Sequence, residues 1–374
     1  MAFGLLLALI GLEIGIRTVS PQGLVTEFFR YEETPLGGPG FRLQPGLWIP
    51  GAEGGSINRL GLRGPEITQK SGAHRVLVLG DSFVYGAGVS TSHSLPQQLD
   101  QLTGDSIEFV NAGTPSYGTV RELAWLETYG EQLAPDEVLL GVFIGNDFTD
   151  NLEVASPQIV DGRLFSGAAA DDSAAVKNAR VWLNSLHLYR LLQRRSYGEP
   201  RSAGIWSESD SMAKSDKQEA ALEILKTRFA GRQMGRLAVY VPARGLDPRM
   251  DLAYDMTRLG LEGIFAWCRE REVVLRLVLI PDVLQVEPDM LRRALSQAEE
   301  PAVPADYERP QRELMAWCET LGIPCLDLRA GMQAETMRRS HSLYLFGDSH
   351  WNAEGHLWAA EQIQRGYYLD FTQE

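Results

Sequence analysis

At 374 residues the chain is long enough for one large α/β domain with an insertion, or for two modest domains. Its composition is 44% apolar and 22% charged, with 37 Gly, 19 Pro and no dominant low-complexity tract, which excludes a disordered or fibrous protein. With 35 basic against 49 acidic residues the net charge is -14, a field that repels nucleic acid, and no basic patch offsets it.

The first segment, MAFGLLLALIGLEIGI, is apolar except for Glu13, and Arg17 is the first cation. It falls slightly short of the roughly 20 residues that span a bilayer. Neither a basic start nor a small-residue cleavage site is present, so residues 1–19 are expected to anchor the chain in a membrane. A buried helix packed on the domain and a cleaved signal are the alternatives. Residues 20–73 are rich in Gly and Pro, as in PLGGPGFRLQPG, and are expected to form a tether and an irregular lead-in. Within them Arg63, in INRLGLRGPE, is expected to pin the lead-in to the domain; the alternative is contact with a substrate anion.

From residue 74 a regular rhythm begins. HRVLVLG, residues 74–80, is a β-branched run ending in Gly that suits a buried parallel strand. Leu95, Leu99 and Leu102 then repeat at helical spacing. Strands are expected at Ile107–Asn111, Glu137–Ile144, Val273–Ile280 and Ile323–Leu326, and helices at Thr119–Gln132, Met250–Glu270, Tyr307–Leu321 and Asn352–Arg365. This alternation predicts an α/β domain over 74–374 whose parallel sheet is covered on both faces. Residues 150–245 interrupt it with a helix at Ala179–Arg195 and the polar run SESDSMAKSDKQEA. That stretch reads as an insertion over the carboxyl edge of the sheet, where open α/β folds place substrate-selecting elements, or else as a loop without a substrate role. Cys268, Cys318 and Cys325 have neither metal-ligand spacing nor an even disulfide framework and read as buried thiols, with a bridge between Cys318 and Cys325 as the alternative.

Four blocks fall at or just beyond the expected carboxyl ends of strands. In LGDSFVYGAG, Ser82 sits on a sharp strand-to-helix turn, exposed for attack, with its own N–H aimed at a developing oxyanion. VNAGTPSYGT lets backbone approach a bound acyl oxygen. FIGNDFTDN places Asn146 where its amide can donate a second hydrogen bond to that oxygen, a contact worth roughly 3 to 4 kcal/mol of barrier in comparable sites. FGDSHWNAEGH supplies His350, a base suited to neutral pH, with Asp348 two residues earlier to orient it. Asn352 reads as the cap of the last helix. Each block alone also has a plain reading as a turn or a helix cap. Asp81, Asp147 and Trp351 are candidate substrate contacts, although turn formation and solvation account equally well for Asp147 and Asp150. His356, in the last helix, reads as structural. His74, His93, His187 and His341 read as surface or satisfied polar residues, and no pattern calls for a metal or a cofactor.

Taken together and in this order, GDS, the Gly-rich turn, GND and D-x-H make residues 75–365 resemble the SGNH hydrolases, also called GDSL esterases. The resemblance implies a flavodoxin-like three-layer α/β/α sandwich with a five-stranded parallel sheet. It implies Ser82 as nucleophile and an oxyanion hole built from the Ser82 N–H, a block-two N–H and the Asn146 side chain. The chain departs from the pattern in two places. Ser116 stands where many members have Gly at the block-two position, with Gly113 and Gly118 as neighbours. D-x-H replaces the usual D-x-x-H and is similar to the alginate O-acetyltransferase type, which acts on exported polysaccharide. The expected activity is hydrolysis of an acylated carbohydrate or lipid through an acyl-enzyme, by a membrane-anchored domain in the periplasm or outside the cell. Transfer of an acetyl group to an exported polysaccharide and non-catalytic polysaccharide binding are the alternatives.

Overall fold

In a computed structural model of the chain, the described residues are 2–19, 28–33, 39–49, 54–68, 70, 72–152, 158–160, 163–165, 183, 186, 188, 237, 239, 240, 249–296, 306–339 and 341–369. They fall in two units, Met1–Leu47 with Val154–Ile205, and Trp48–Glu153 with Trp206–Glu374.

The second unit holds five parallel strands: β1 (His74–Gly80), β2 (Ile107–Gly113), β3 (Glu137–Phe143), β4 (Val274–Ile280) and β5 (Cys325–Asp327). Their spatial order is β5-β4-β3-β1-β2, the flavodoxin-like arrangement. The central strand β3, EVLLGVF, is buried at every position. Both faces of the sheet are therefore covered, which is why the strands read as continuous apolar runs rather than alternating ones. Gly80 pairs with Gly113, so the loops after β1 and β2 leave the same edge.

The covering helices include α1 (Ser82–Tyr85), α2 (Leu95–Thr103), α3 (Thr119–Trp125), α4 (Asp147–Asp150), α5 (Met250–Glu270), α6 (Arg309–Leu321) and α7 (Ala353–Ile363). Helix α2 packs with α7, and α3 with α5. The second crossing is close because Gly260 has no side chain: a Cβ there would lie 2.5 Å from Thr119 Oγ1, which donates to the Thr257 carbonyl at 3.0 Å. Asn352 caps α7, its side chain accepting from the Gly355 N–H at 2.9 Å. Three helices not expected from the sequence, Val283–Val286, Pro288–Leu295 and Arg329–Arg339, fill the connections around β4 and β5. The three cysteines carry free thiols, and burial pushes that of Cys268 up to about 12.

The lead-in is more structured than its Gly and Pro content suggests. In the first unit Phe29–Glu33 pairs antiparallel with Pro39–Leu43, setting Phe29 opposite Leu43 and Tyr31 opposite Phe41. An apolar cross-strand pair, Phe29 opposite Leu43, supplies what the turn-rich composition conceals. In the second unit the segment around Arg63 is bound into the domain. Its guanidinium is buried and donates to the carbonyls of Tyr85 (3.0 Å), Gly86 (2.6 Å) and Val89 (2.8 Å) and to Thr91 Oγ1 (3.2 Å). Arg63 is thus a clamp on the chain leaving α1 and is withdrawn from any substrate anion.

The first unit also contains the N-terminal helix, Ala2–Val19, and a short antiparallel pair, Gln158–Val160 with Arg163–Phe165. Glu13 accepts a hydrogen bond from the Leu188 N–H at 2.8 Å. The expected membrane anchor over residues 1–19 gains no support: at 1.5 Å per residue the helix is roughly 27 Å long, and no helix among the described residues is long and apolar enough to cross a membrane. Most of the helix expected at 179–195 and most of the insertion at 150–245 lie outside the described residues.

Candidate active site

The site is assembled at the carboxyl edge of the sheet. Strand β1 ends at Gly80, and Asp81 turns the chain into α1 by accepting from the Phe83 N–H at 2.8 Å, a side-chain cap of the kind that starts helices. This leaves Ser82 as the first helical residue. Block two is pressed against α1 from the neighbouring strand, and only glycine permits it: a Cβ on Gly113 would lie 2.1 Å from the Tyr85 nitrogen.

His350 arrives from the far end of the chain. The Leu345 N–H donates to the His350 carbonyl at 2.8 Å, the Asp348 N–H donates to the Leu345 carbonyl at 3.1 Å, and Tyr344 bridges Trp351. Within this tight loop Asp348 Oδ1 accepts from both the backbone N–H (3.0 Å) and the ring Nδ1 (2.6 Å) of His350. The carboxylate folds back over its own turn, so a two-residue spacing suffices to reach the ring. Nδ1 therefore carries the proton, and Nε2 is left to accept from Ser82 Oγ at 2.7 Å. The Phe83 ring lies 5.2 Å from the imidazole, tilted from it by 42°.

Burial works to raise the Asp348 carboxyl, but the hydrogen bond and charge of His350, with the backbone N–H groups of His350 and Ser349, outweigh it and hold it at about 2. The orienting group is thus an anion across the neutral range. A hydroxyl bonded to an imidazole that is itself bonded to a carboxylate is the arrangement that turns serine into an acyl nucleophile.

The candidate oxyanion donors need sorting. The Gly113 N–H is committed to Asn111 Oδ1 at 3.0 Å, and the Thr114 N–H to the Gly80 carbonyl at 2.9 Å. Pro115 has no N–H, and that of Tyr117 goes back to the Thr114 carbonyl at 3.2 Å. Gly113, with its N–H bonded and its backbone pressed against Tyr85, has a packing reason to be glycine, and Ser116 is the next block-two residue to consider. Ser116 is exposed and left-handed, with φ 65°, a conformation that costs a side chain about 1 kcal/mol and that glycine adopts freely. Ser116→Gly is accordingly expected to be neutral to about 1 kcal/mol more stable, with kcat within about twofold of wild type, because the N–H is retained. Denaturant melts and ester kinetics on the same preparations would show it. Asn146 gives one amide hydrogen to Asp150 Oδ2 at 2.6 Å; a primary amide has a second to offer.

The three residues expected near a substrate, Asp81, Asp147 and Trp351, are fully buried. They belong to the framework, for a side chain with no accessible surface has no face to present to a ligand. Asp81 Oδ2 lies 3.2 Å from Ser82 Oγ as a second, longer partner of the hydroxyl. Asp147 Oδ2 accepts from the Phe143 N–H at 2.8 Å. Trp351 packs edge-on against Phe83 and His356. His356 is buried and neutral, its pKa brought down to about 3 by burial first and then by the charges of His350, Arg63 and His93.

Glu122 escaped notice in the sequence. It is fully buried on α3, and neither carboxyl oxygen has a hydrogen-bond partner among the described residues. Burial first, and the Asp81 charge second, push it well above the ordinary glutamate range. Asp147 is raised as well, by burial and then by Asp81, Glu122 and Asp150, against the opposing Phe143 N–H. A signal was available: Thr119, Glu122 and Leu123 share the buried stripe of one helix, and a glutamate in an apolar stripe is unusual.

No protein-family profile matches the chain, and no curated protein does. Among solved structures, an acetyl xylan esterase shares 12% identity at a TM-score of 0.40, covering 78% of this chain and 99% of that one. A member of the lipolytic G-D-S-L family from Veillonella parvula shares 10% at 0.38, covering 78% and 97%. A psychrotrophic esterase from Pseudoalteromonas shares 11% at 0.35, covering 79% and 96%. At such identities and scores these likenesses carry no weight for function, and the reading below rests on geometry.

Proposed function

We propose that the chain is a serine ester hydrolase that works through an acyl-enzyme on Ser82. The observation that carries this reading is the relay running from Ser82 Oγ to His350 Nε2 at 2.7 Å and from Nδ1 to Asp348 at 2.6 Å. Ser82 attacks the ester carbonyl while His350 takes its proton. The oxyanion draws on the N–H groups of Ser82 and Ser116 and on the Asn146 amide. Collapse expels the alcohol, which leaves with the proton returned by His350. Water, deprotonated by the same imidazole, then releases the acid. The substrate we favour is an acylated carbohydrate or lipid outside the cytoplasm.

The D-x-H spacing keeps a second reading in view, in which a sugar hydroxyl of an exported polysaccharide replaces water in the second half-reaction. Non-catalytic polysaccharide binding is disfavoured, since binding alone has no use for an activated hydroxyl. Incubating the protein with a radiolabelled acetyl donor and candidate glycans separates the possibilities. Label recovered as free acid supports hydrolysis, label on the glycan supports transfer, and turnover unchanged in Ser82→Ala rejects the nucleophile.

A further inference from the structure

On the reading proposed above, two of the oxyanion donors stand on separate loops, Ser116 after β2 and Asn146 after β3. The two blocks already meet at Asn151, whose amide donates to Thr119 Oγ1 at 3.1 Å and accepts from the Val120 N–H at 3.1 Å, but these bonds lie beyond the Ser116 turn and leave the Ser116 backbone itself unheld. Ser116 is the less secure, because it is exposed and holds a left-handed backbone that a serine would leave if it could. A relaxation to negative φ would swing its N–H away. Asn146 is steadied through Asp150, whose carboxylate accepts from its amide at 2.6 Å.

Arg121, on α3, touches both loops. Its Nη1 donates to the Ser116 carbonyl at 3.0 Å and to the Asp150 carbonyl at 3.2 Å. A guanidinium nitrogen carries two hydrogens in a fixed plane, so the two acceptors are held at one set angle. We propose that Arg121 is a positioning residue that locks the Ser116 turn to the Asn146–Asp150 helix and thereby sets the spacing of the oxyanion donors. Both acceptors are main-chain carbonyls, which do not titrate. The clamp acts on the transition state, where the oxyanion exists, rather than on the bound ester.

The test combines steady-state ester kinetics, fluorophosphonate labelling of Ser82 and thermal melts on the full chain, for wild type, Arg121→Lys and Arg121→Ala. The expected result is a fall in kcat of about 10- to 100-fold in Arg121→Ala, with KM within about threefold and an unshifted pH profile. Arg121→Lys, whose ammonium has donors enough for both carbonyls but stands on a shorter stem with freely rotating hydrogens and so does not set their angle, should fall between the two with an unchanged melt. Labelling should slow in parallel, because phosphonylation also builds charge on the same oxygen. The lysine variant keeps the test open should the alanine variant fold poorly. Wild-type kcat in either folded variant, or a loss confined to KM, overturns the proposal while leaving the hydrolase reading intact. A wild-type protein that neither labels at Ser82 nor cleaves esters overturns both.

Discussion

His350→Ala is expected to lower kcat for ester cleavage by about a million-fold, and Asp348→Asn by about ten-thousand-fold. The two numbers differ because the two groups do different work. Without the imidazole nothing adjacent can take the Ser82 proton: Asp81 Oδ2, at 3.2 Å, lies farther than the 2.7 Å of His350 Nε2 and is not positioned to return a proton to the leaving alcohol. Without the Asp348 charge the ring remains but loses the acceptor that fixes its tautomer, so Nε2 is no longer reserved for the serine. Groups that act as a unit are not additive, and Ser82→Ala/His350→Ala should be no slower than Ser82→Ala. Single-turnover rates on an activated ester would settle it, and a His350→Ala protein within tenfold of wild type would end the relay interpretation. The carboxylate adds a pH statement. A carboxyl held at about 2 stabilises the fold above its ordinary 3.8 and loses that contribution only as pH falls through about 2. Asp348 therefore stays ionised across any neutral or mildly acidic assay, and an acidic limb near pH 5 or 6 would have to come from another group.

Glu122→Gln is expected to reshape the dependence of stability on pH. In the folded protein Glu122 and Asp147 hold protons that the unfolded chain releases, because burial disfavours their charged forms and the neighbouring carboxylates add to the penalty. The sign follows directly: a carboxyl raised above its unfolded value contributes stability that is complete below the ordinary 4.5 and is lost as pH rises toward the folded-state value. Each such proton steepens the alkaline loss by about 1.4 kcal/mol per pH unit within that window. The glutamine is neutral at every pH, so the variant should be the more stable protein at pH 8 to 9 and should show a flatter profile. Urea denaturation across pH 5 to 9 reads this, and parallel profiles for the two proteins would contradict it.

The parts of this architecture that could be read in the chain are those where a local pattern and a packed environment agree. HRVLVLG and EVLLGVF had to be buried strands, and both occupy the sheet with boundaries within a residue of expectation. The relay was legible for a related reason: serine, imidazole and carboxylate each need a specific turn, and the turn residues surround them. What stayed hidden depends on contacts distant in sequence. Phe29 looks like a loop residue until Leu43 stands opposite it. Glu122 looks like a surface glutamate until α3 is seen to turn it inward. Gly113 looked like an anion-binding glycine, and only the nearness of the Tyr85 backbone gives it a different reason to be glycine. Arg121 carried no signal at all, since the main-chain oxygens to which it donates lie on two other segments.

The clamp made by Arg63 bears on where the smallest intact catalytic body begins. A fragment starting at the first strand, His74, would strip a guanidinium from beneath the turn that carries the nucleophile and leave the carbonyls of Tyr85, Gly86 and Val89 dry and unsatisfied. A stretch that looks like connecting chain is, in energetic terms, a wedge driven under the helix that carries the reactive serine, and a truncated protein has to start upstream of Arg63 to keep it.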